Sequence, residues 1–242
     1  MVLYQLENPM RIITIYVAQM LVCLWFAYLA YRILKRDRKR LNIIFAGFYL
    51  SGVIGNIFNF IYGPIPYIGA VLVLNYLTNF GIFYAPIFLV VFDLMLLKSE
   101  KVINTTKQLL ILIGYGIAMF CMIFFIITPG WGVTLGPTTE WSPVWALPFF
   151  LYLICIESIF AVGPILYLSF RVYNKFEDEQ LKKKWKQFIY GFCALIVFLY
   201  AIFISNFLNI SMVRTVAVGI GIICALVGGY LMYNGVGRQL EK

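Results

Sequence analysis

Residues 12–40 read IITIYVAQMLVCLWFAYLAYRILKRDRKR, an apolar run from Ile12 to Leu34 that stops at the charged cluster Lys35 to Arg40. A helix needs about 20 apolar residues to cross a bilayer, so this run predicts a membrane span that ends at the membrane surface. Six further runs of similar length follow. The fold class predicted is an all-α membrane protein, a single seven-transmembrane-helix bundle. Its spans are predicted at about 12–34, 41–62, 70–97, 109–127, 148–170, 187–208 and 212–233.

The basic residues are divided unequally between the two sides of these spans. Of the 19 Lys and Arg residues, all except Arg11 and Arg214 lie in or beside the first, third and fifth connections and the carboxyl-terminal tail. Short cytoplasmic loops carry an excess of Lys and Arg. We therefore expect the amino terminus outside, the carboxyl terminus in the cytoplasm, and a location in the plasma membrane.

Composition argues against several classes of function. The chain has no histidine, which removes imidazole metal ligands and a histidine general base. No predicted span contains a lysine, so a covalent retinal Schiff base is excluded. We expect no catalytic residue, no metal, no cofactor and no enzymatic activity, because the spans lack paired carboxylates and Ser/Lys dyads. The net charge of +9 suits contact with membrane lipids, and nucleic acid is not an expected partner.

Polar side chains inside the spans are concentrated in the predicted outer half. Such groups are costly in hydrocarbon unless they face the protein interior or a cavity. They predict an outward-facing pocket between the second, third, fifth, sixth and seventh spans. The alternative is a hydrogen-bonded network that only orders the bundle. The expected ligand-binding residues are Glu157, Arg214, Asn56, Asn59, Asn75, Asn79 and Asn206.

Glu157 has the greatest weight among these residues, because an ionisable group near mid-membrane is a functional candidate by default. Arg214 is expected to hold an anionic group or to pair with Glu157. Asp93 lies near the cytoplasmic end of the third span, where we expect it to meet water or a basic side chain. Pro86 and Pro164 predict kinks in the third and fifth helices, since proline frees a backbone carbonyl.

Small residues recur at every fourth position on one face of the second span and of the seventh. Such stripes let helix backbones approach closely in lipid. We expect them to pack within the bundle, and contact between copies in a homo-oligomer is the alternative. The residues are Gly47, Ser51 and Gly55 in the second span, and Gly221, Ala225 and Gly229 in the seventh.

The charged segment 174–186 is predicted to extend the sixth helix into the cytoplasm, with Asn174 as its cap. The extension is either a rigid lever that carries motion to a partner or a solvated helix end. Acid-before-base pairs four residues apart support the helix: Asp178 with Lys182, and Glu179 with Lys183.

A charged helix therefore enters the sixth span through QLKKKWK at 180–186, and a glycine-rich seventh span ends in GGYLMY at 228–233. With short loops and an outside amino terminus, this layout resembles the seven-span sensor domain at the front of some prokaryotic membrane histidine kinases. The resemblance covers nearly the whole chain. That family continues into kinase domains, whereas this sequence stops at Lys242, so the resemblance implies a separate cytoplasmic signalling protein as partner.

These observations favour a receptor or sensor that binds a small ligand from outside and signals to that partner. The first alternative is a small-solute transporter or channel, which requires a polar route through both halves of the membrane. The second is a structural subunit of a membrane assembly, in which the two small-residue stripes are contact faces.

Overall fold

The computed structural model describes residues 12–237, and within that range seven helices are long and apolar enough to cross a membrane. The prediction of an all-α, multi-pass bundle is confirmed. Arg11, Arg238 and Lys242, which contribute to the predicted orientation, lie outside the described residues. We number the helices α1 to α7 in chain order: Ile13–Arg36, Arg40–Tyr62, Ile68–Lys98, Thr105–Ile127, Leu147–Lys175, Glu179–Leu208 and Ser211–Val236.

Two helices begin well before their apolar part. α4 begins at Thr105 and α6 at Glu179, although the apolar runs predicted starts near residues 109 and 187. Lys, Glu and Gln are good helix formers, so hydropathy marks the membrane boundary rather than the helix end. The sixth helix therefore extends beyond its apolar run, as predicted, but from Glu179 rather than from residue 174.

The details at the start of α6 differ from the prediction. Asn174 lies inside α5 and does not cap α6. The cap is Asp178, whose carboxylate accepts a hydrogen bond from the backbone N–H of Gln180 at 2.7 Å. Glu179 pairs with Lys182 at 2.8 Å rather than with Lys183.

The connections fall at two ends of the bundle, which we call the basic end and the hairpin end. At the basic end the guanidinium of Arg40 donates to Gln108 Oε1 at 2.8 Å and also to the carbonyl oxygen of Ile103. Lys175 Nζ donates to the carbonyl oxygen of Leu97 at 3.0 Å, which joins α5 to α3. The basic end holds residues 37–39, 99–104 and 176–178, and the hairpin end holds residues 63–67, 128–146 and 209–210.

An exposed ion pair lies in the first connection of the basic end. Lys39 Nζ is 2.9 Å from Asp37 Oδ2. The hydrogen bond from Lys39 lowers the pKa of the Asp37 carboxyl, and the same contact raises the pKa of Lys39. Because both groups face water, we assign this pair no role in holding the bundle together.

At the hairpin end, residues 128–146 fold into the bundle instead of lying on it. Strand β1 (Val133–Thr134) pairs with strand β2 (Val144–Trp145) in an antiparallel ladder. The Trp145 ring is 2% exposed and lies 5.1 Å from the Phe149 ring and 5.6 Å from the Phe203 ring. This connection therefore closes the hairpin end with aromatic side chains.

Several of the helices are irregular inside the membrane. α3 is interrupted at Tyr84, two residues before Pro86, and α5 contains the π-helical segment Glu157–Val162, two residues before Pro164. Proline removes a backbone donor and crowds the preceding turn, so an irregularity lies beside each of the two prolines at which the sequence predicts a kink. π-helical segments also begin α1 at Ile13–Gln19 and end α7 at Tyr233–Gly237.

The stripe on α2 packs against α3. A Cβ atom placed on Gly55 would lie 2.8 Å from the carbonyl oxygen of Thr78 and from the backbone nitrogen of Ile82. The Ser51 hydroxyl donates to the carbonyl oxygen of Gly81 at 2.7 Å. The predicted packing role of this stripe is confirmed.

The stripe on α7 is also covered by the same chain. Gly221 faces the Phe198 ring of α6, and Gly229 faces the Phe26 ring of α1. The Tyr49 hydroxyl of α2 donates to the carbonyl oxygen of Gly229 at 3.0 Å. A homo-oligomer would therefore have to use other surfaces of the bundle.

We expect Gly55→Ala to lower the thermal unfolding midpoint of the detergent-purified protein, because the added methyl group meets α3 backbone and overpacking costs about 1–3 kcal/mol. Gly114→Ala is the matched control, since a Cβ atom there has no neighbour within 4 Å. Alanine is favoured over glycine in a helix by roughly 0.5–1 kcal/mol, so this variant should be as stable as the wild type or more so. Equal midpoints for the two variants would contradict the packing.

Candidate functional site

A cavity of about 130 Å³ lies between α1, α2, α3, α5, α6 and α7, in the middle and hairpin-end half of the bundle. Its walls are apolar except for the side chains of Gln19, Asn56 and Ser205. An apolar protein cavity of about 150 Å³ binds benzene. The space therefore suits a compact molecule with few polar atoms.

The cavity is bounded by the irregular parts of three helices. Gln19 ends the π-helical segment of α1, and Val162 ends that of α5. Ala85 and Pro86 follow directly on the interruption of α3 at Tyr84. All four residues line the space. Because π-helical segments occur frequently at functional sites, their convergence marks this cavity as the main candidate.

The three polar side chains offer both donors and acceptors to the cavity. Gln19 Oε1 accepts a hydrogen bond from the Asn59 side chain, which fixes the Gln19 carboxamide and leaves its NH₂ group to donate. Asn56 Nδ2 donates to the carbonyl oxygen of Gly52 at 2.9 Å, so the carboxamide oxygen is left to accept. Ser205, which is 5% exposed, contributes a hydroxyl. Of the predicted ligand-binding residues, Asn56 alone lines the cavity. Asn59 does not line it, but it holds Gln19, which does.

The other predicted asparagines lie away from the cavity. Asn79 Nδ2 donates to Asn75 Oδ1 at 3.1 Å, and Asn75 Nδ2 donates to the Tyr62 hydroxyl at 3.3 Å. Both asparagines are buried, and this chain of bonds joins α3 to α2. Asn206 is half-buried on α6 and does not line the cavity. For Asn75 and Asn79 the geometry is that of a network that orders the bundle.

Glu157 is fully buried at the start of the π-helical segment of α5. Its Oε1 atom lies 2.9 Å from the hydroxyl of Tyr115 on α4, and that hydroxyl is also 3.1 Å from the carbonyl oxygen of Phe83. A hydroxyl has one hydrogen and cannot donate fully to both acceptors. Glu157 Oε2 has no hydrogen-bond partner among the described residues. The carboxyl group therefore joins α5 to α4 but is only partly satisfied.

Arg214 does not pair with Glu157, so that part of the prediction is wrong. Its guanidinium donates to the carbonyl oxygen of Pro143 at 3.1 Å and to Asn209 Oδ1 at 3.2 Å. The contact with Pro143 holds the 128–146 connection against the start of α7, and the contact with Asn209 links the start of α7 to the 209–210 connection. The sequence shows that an arginine begins this helix, but only the fold brings the connection close enough to receive its hydrogen bonds.

Asp93 corrects a second expectation. The residue does not meet water or a basic side chain: it is fully buried and accepts a hydrogen bond from the Ser169 hydroxyl of α5 at 2.5 Å. Trp185 of α6 covers the pair and donates to the carbonyl oxygen of Ser169 at 2.8 Å. Asp93 Oδ1 has no partner within residues 12–237. Since neither Ser169 nor Trp185 is near Asp93 in sequence, position along α3 alone could not predict this enclosure.

The two buried carboxyl groups do not form a metal centre. Across residues 12–237, no group of three His, Cys, Asp or Glu side chains is placed to hold an ion. Asp93 and Glu157 instead each have one hydroxyl partner from a different helix, Ser169 and Tyr115.

We expect Glu157→Gln to keep most of the thermal stability, because an amide of the same size can bond to the Tyr115 hydroxyl without a buried charge. Glu157→Ala should lose about 1–3 kcal/mol, because it removes the hydrogen bond between α4 and α5 and leaves a void where the buried carboxyl group was. Unfolding midpoints in detergent, with Glu177→Gln on the exposed 176–178 connection as control, would measure this. A loss from Glu157→Gln as large as that from Glu157→Ala would show that the charge itself is required.

No family model, no curated protein and no solved structure matches this chain. The resemblance to the sensor domains of histidine kinases therefore stays a prediction. The features of the molecule that bear on its function are the cavity, the buried carboxyl groups and the basic end.

Proposed function

We propose that this protein is a seven-helix receptor of the plasma membrane that binds a small, mainly apolar molecule in the cavity and signals to a separate cytoplasmic protein. The proposal places the amino terminus outside, so that the hairpin end faces out and the basic end faces the cytoplasm. The observation that carries it is the cavity itself, which is lined by six helices and bounded by the irregular segments of α1, α3 and α5.

The lining limits the class of ligand. A volume of about 130 Å³ suits a molecule close to benzene in size, and the apolar walls contribute most of the binding free energy through the hydrophobic effect. A few convergent polar groups fix the orientation of a ligand in a pocket of this kind. Gln19, Asn56 and Ser205 would thus select a small aromatic or short aliphatic molecule with one or two hydroxyl or carbonyl groups.

In this scheme, the predicted site residues that do not line the cavity hold the segments around it in place. Asn59 holds the carboxamide of Gln19, Glu157 begins the π-helical segment that ends at the cavity, and Arg214 braces the connection at the hairpin end. None of these three residues lines the space. Their substitution should therefore weaken binding less than loss of Asn56.

A route from the cavity to the basic end is present in α3 and α5. Both helices are irregular beside the cavity, and their halves beyond it are joined by the Asp93–Ser169 and Lys175–Leu97 hydrogen bonds. A ligand that binds one arrangement of the two halves more tightly shifts the population toward it. In this scheme the shift displaces the basic end. The basic end, which includes the exposed start of α6 at Glu179, would then present a changed surface to the cytoplasmic partner.

We expect benzyl alcohol to raise the thermal unfolding midpoint of the wild-type protein in detergent, because a ligand of the native state stabilises it by about 2.7 kcal/mol at a concentration of 100 Kd. Ala217→Phe adds a ring to the cavity wall and should abolish the shift. Asn56→Ala should reduce the apparent affinity several-fold.

Ile113→Phe is the matched control, because Ile113 is 56% exposed on α4 and a ring there does not reach the cavity. It should respond to benzyl alcohol as the wild type does. The same shift in the wild type and in Ala217→Phe would place the effect in the detergent or on the surface and would end the cavity proposal.

A proton-coupled transporter is the second candidate, because Asp93, which the sequence places near the cytoplasmic end of the third span, is fully buried and bonded to Ser169 of α5. With Glu157 it gives one carboxyl group near the basic end and one near mid-membrane. Such buried acids are found in the proton relays of pumps and transporters.

We expect a receptor to leave a pH gradient across proteoliposomes unchanged, with or without benzyl alcohol, as followed by an enclosed pH-sensitive dye. Dissipation that depends on the protein, and that Asp93→Asn reduces more than tenfold, would favour the transporter instead. Glu177→Gln is the control, because this exposed carboxylate lies outside the bundle core.

A further inference from the structure

A second depression lies on the lipid-facing surface between α1 and α7, in the half nearer the basic end. It is an open groove of about 820 Å³. Leu21 and Leu24 line one end of it, aromatic rings line the middle, and Arg32 with Asn234 lies at the basic end. We propose that this groove is a binding site for an anionic phospholipid, with the phosphate at Arg32 and one acyl chain along the leucines.

The length of the groove matches one leaflet. Leu21 and Arg32 are eleven positions apart on α1, which is roughly 16 Å at 1.5 Å per residue. Half of a hydrocarbon core of about 30 Å is roughly 15 Å. An acyl chain that begins at the depth of Arg32 would therefore reach the leucines near the middle of the bilayer.

Arg32 has the properties of a phosphate-binding group. Its side chain is exposed, and Nη1 donates to the Tyr28 hydroxyl at 2.7 Å while the guanidinium lies 5.7 Å from the centre of the Tyr28 ring. No carboxylate of the described residues forms an ion pair with it. A guanidinium binds phosphate through two parallel hydrogen bonds. An anionic headgroup would supply the charge that the protein does not.

The groove is built by specific contacts rather than left by loose packing. Trp25 Nε1 donates to the carbonyl oxygen of Leu226 at 3.1 Å, which holds its ring between α1 and α7. That ring stacks on Tyr28 with 5.7 Å between centroids. The π-helical segment Tyr233–Gly237 supplies the wall at the basic end. The walls are therefore formed before a lipid arrives.

The competing explanation for lipid binding at Arg32 is that any arginine near the membrane surface attracts headgroups. The chain contains a matched residue that tests this explanation. Arg171 also lies 5.7 Å from the ring of a tyrosine four positions earlier, Tyr167, and donates to its hydroxyl at 3.2 Å. Neither Arg171 nor Tyr167 lines the groove. The two arginines thus share their local geometry and differ in the groove.

The test is native mass spectrometry of the full-length protein in detergent, titrated with phosphatidylglycerol or phosphatidylcholine. We expect phosphatidylglycerol to bind at least tenfold more tightly than phosphatidylcholine. Arg32→Gln should weaken phosphatidylglycerol binding at least tenfold, and Arg171→Gln less than twofold. Equal effects of the two substitutions, or equal binding of the two lipids, would overturn the proposal.

A second pair of variants tests the acyl-chain half of the groove. Leu24→Trp fills it and should weaken phosphatidylglycerol binding several-fold, whereas Leu110→Trp on the exposed face of α4 should not. Unfolding midpoints equal to that of the wild type confirm that the variants are folded. Unchanged binding by Leu24→Trp would show that the chain does not lie in the groove and would overturn this assignment.

Discussion

The direct backbone contact between Gly55 and Gly81 sets the spacing of the bundle. A Cβ atom on Gly81 would lie 2.7 Å from the Cα atom of Gly55, so α2 and α3 touch with no side chain between them. α2 also packs closely on α1. Lipid provides little hydrophobic force between helices, and close packing of small residues has to replace it. On the other side of this contact, the helices meet larger rings such as those of Phe26 and Phe198. The cavity lies where these rings do not fill the space between the helices.

The low dielectric of the hydrocarbon around the bundle also explains how the two buried carboxyl groups are held. A carboxyl group enclosed by hydrocarbon is costly unless other groups satisfy it. Asp93 and Glu157 each receive one hydroxyl contact from a neighbouring helix, and each keeps one oxygen without a partner among the described residues. Asp93 thereby ties α3 to α5, and Glu157 ties α5 to α4.

The sequence predicts the seven helices because a bilayer demands long apolar runs, and Ile12 to Leu34 is such a run whatever its neighbours are. It places irregularities in α3 and α5 because proline acts through local chemistry at Pro86 and Pro164. It also predicts a pocket among α2, α3, α5, α6 and α7, and the cavity lies between these helices and α1. It does not predict the contribution of α1 or which side chains form the wall, since both depend on how side chains from six helices meet. Gln19 illustrates this: nothing in the first span distinguishes it, yet Asn59 of α2 holds it at the cavity wall.

Asp93 shows where an expectation drawn from position along a helix fails. The sequence places it near one end of the third span, but its enclosure depends on the direction in which the side chain leaves the helix and on Ser169 and Trp185, which come from distant parts of the chain. The predicted contact of Arg214 with Glu157 fails for a similar reason. Both residues were placed at plausible depths, whereas their partners are decided by which helices are neighbours.

The π-helical segment Glu157–Val162 has a geometric consequence for α5. A π-helical turn contains about one residue more than an α-helical turn, and each residue of an α-helix corresponds to about 100° of rotation. If this segment tightened into regular α-helix, the part of α5 toward Lys175 would turn about its axis by an angle of that order. Ser169 would then point away from Asp93. A change confined to the wall of the cavity would thus rotate the part of α5 that carries Ser169 and Lys175 and change which side of it faces the neighbouring helices at the basic end.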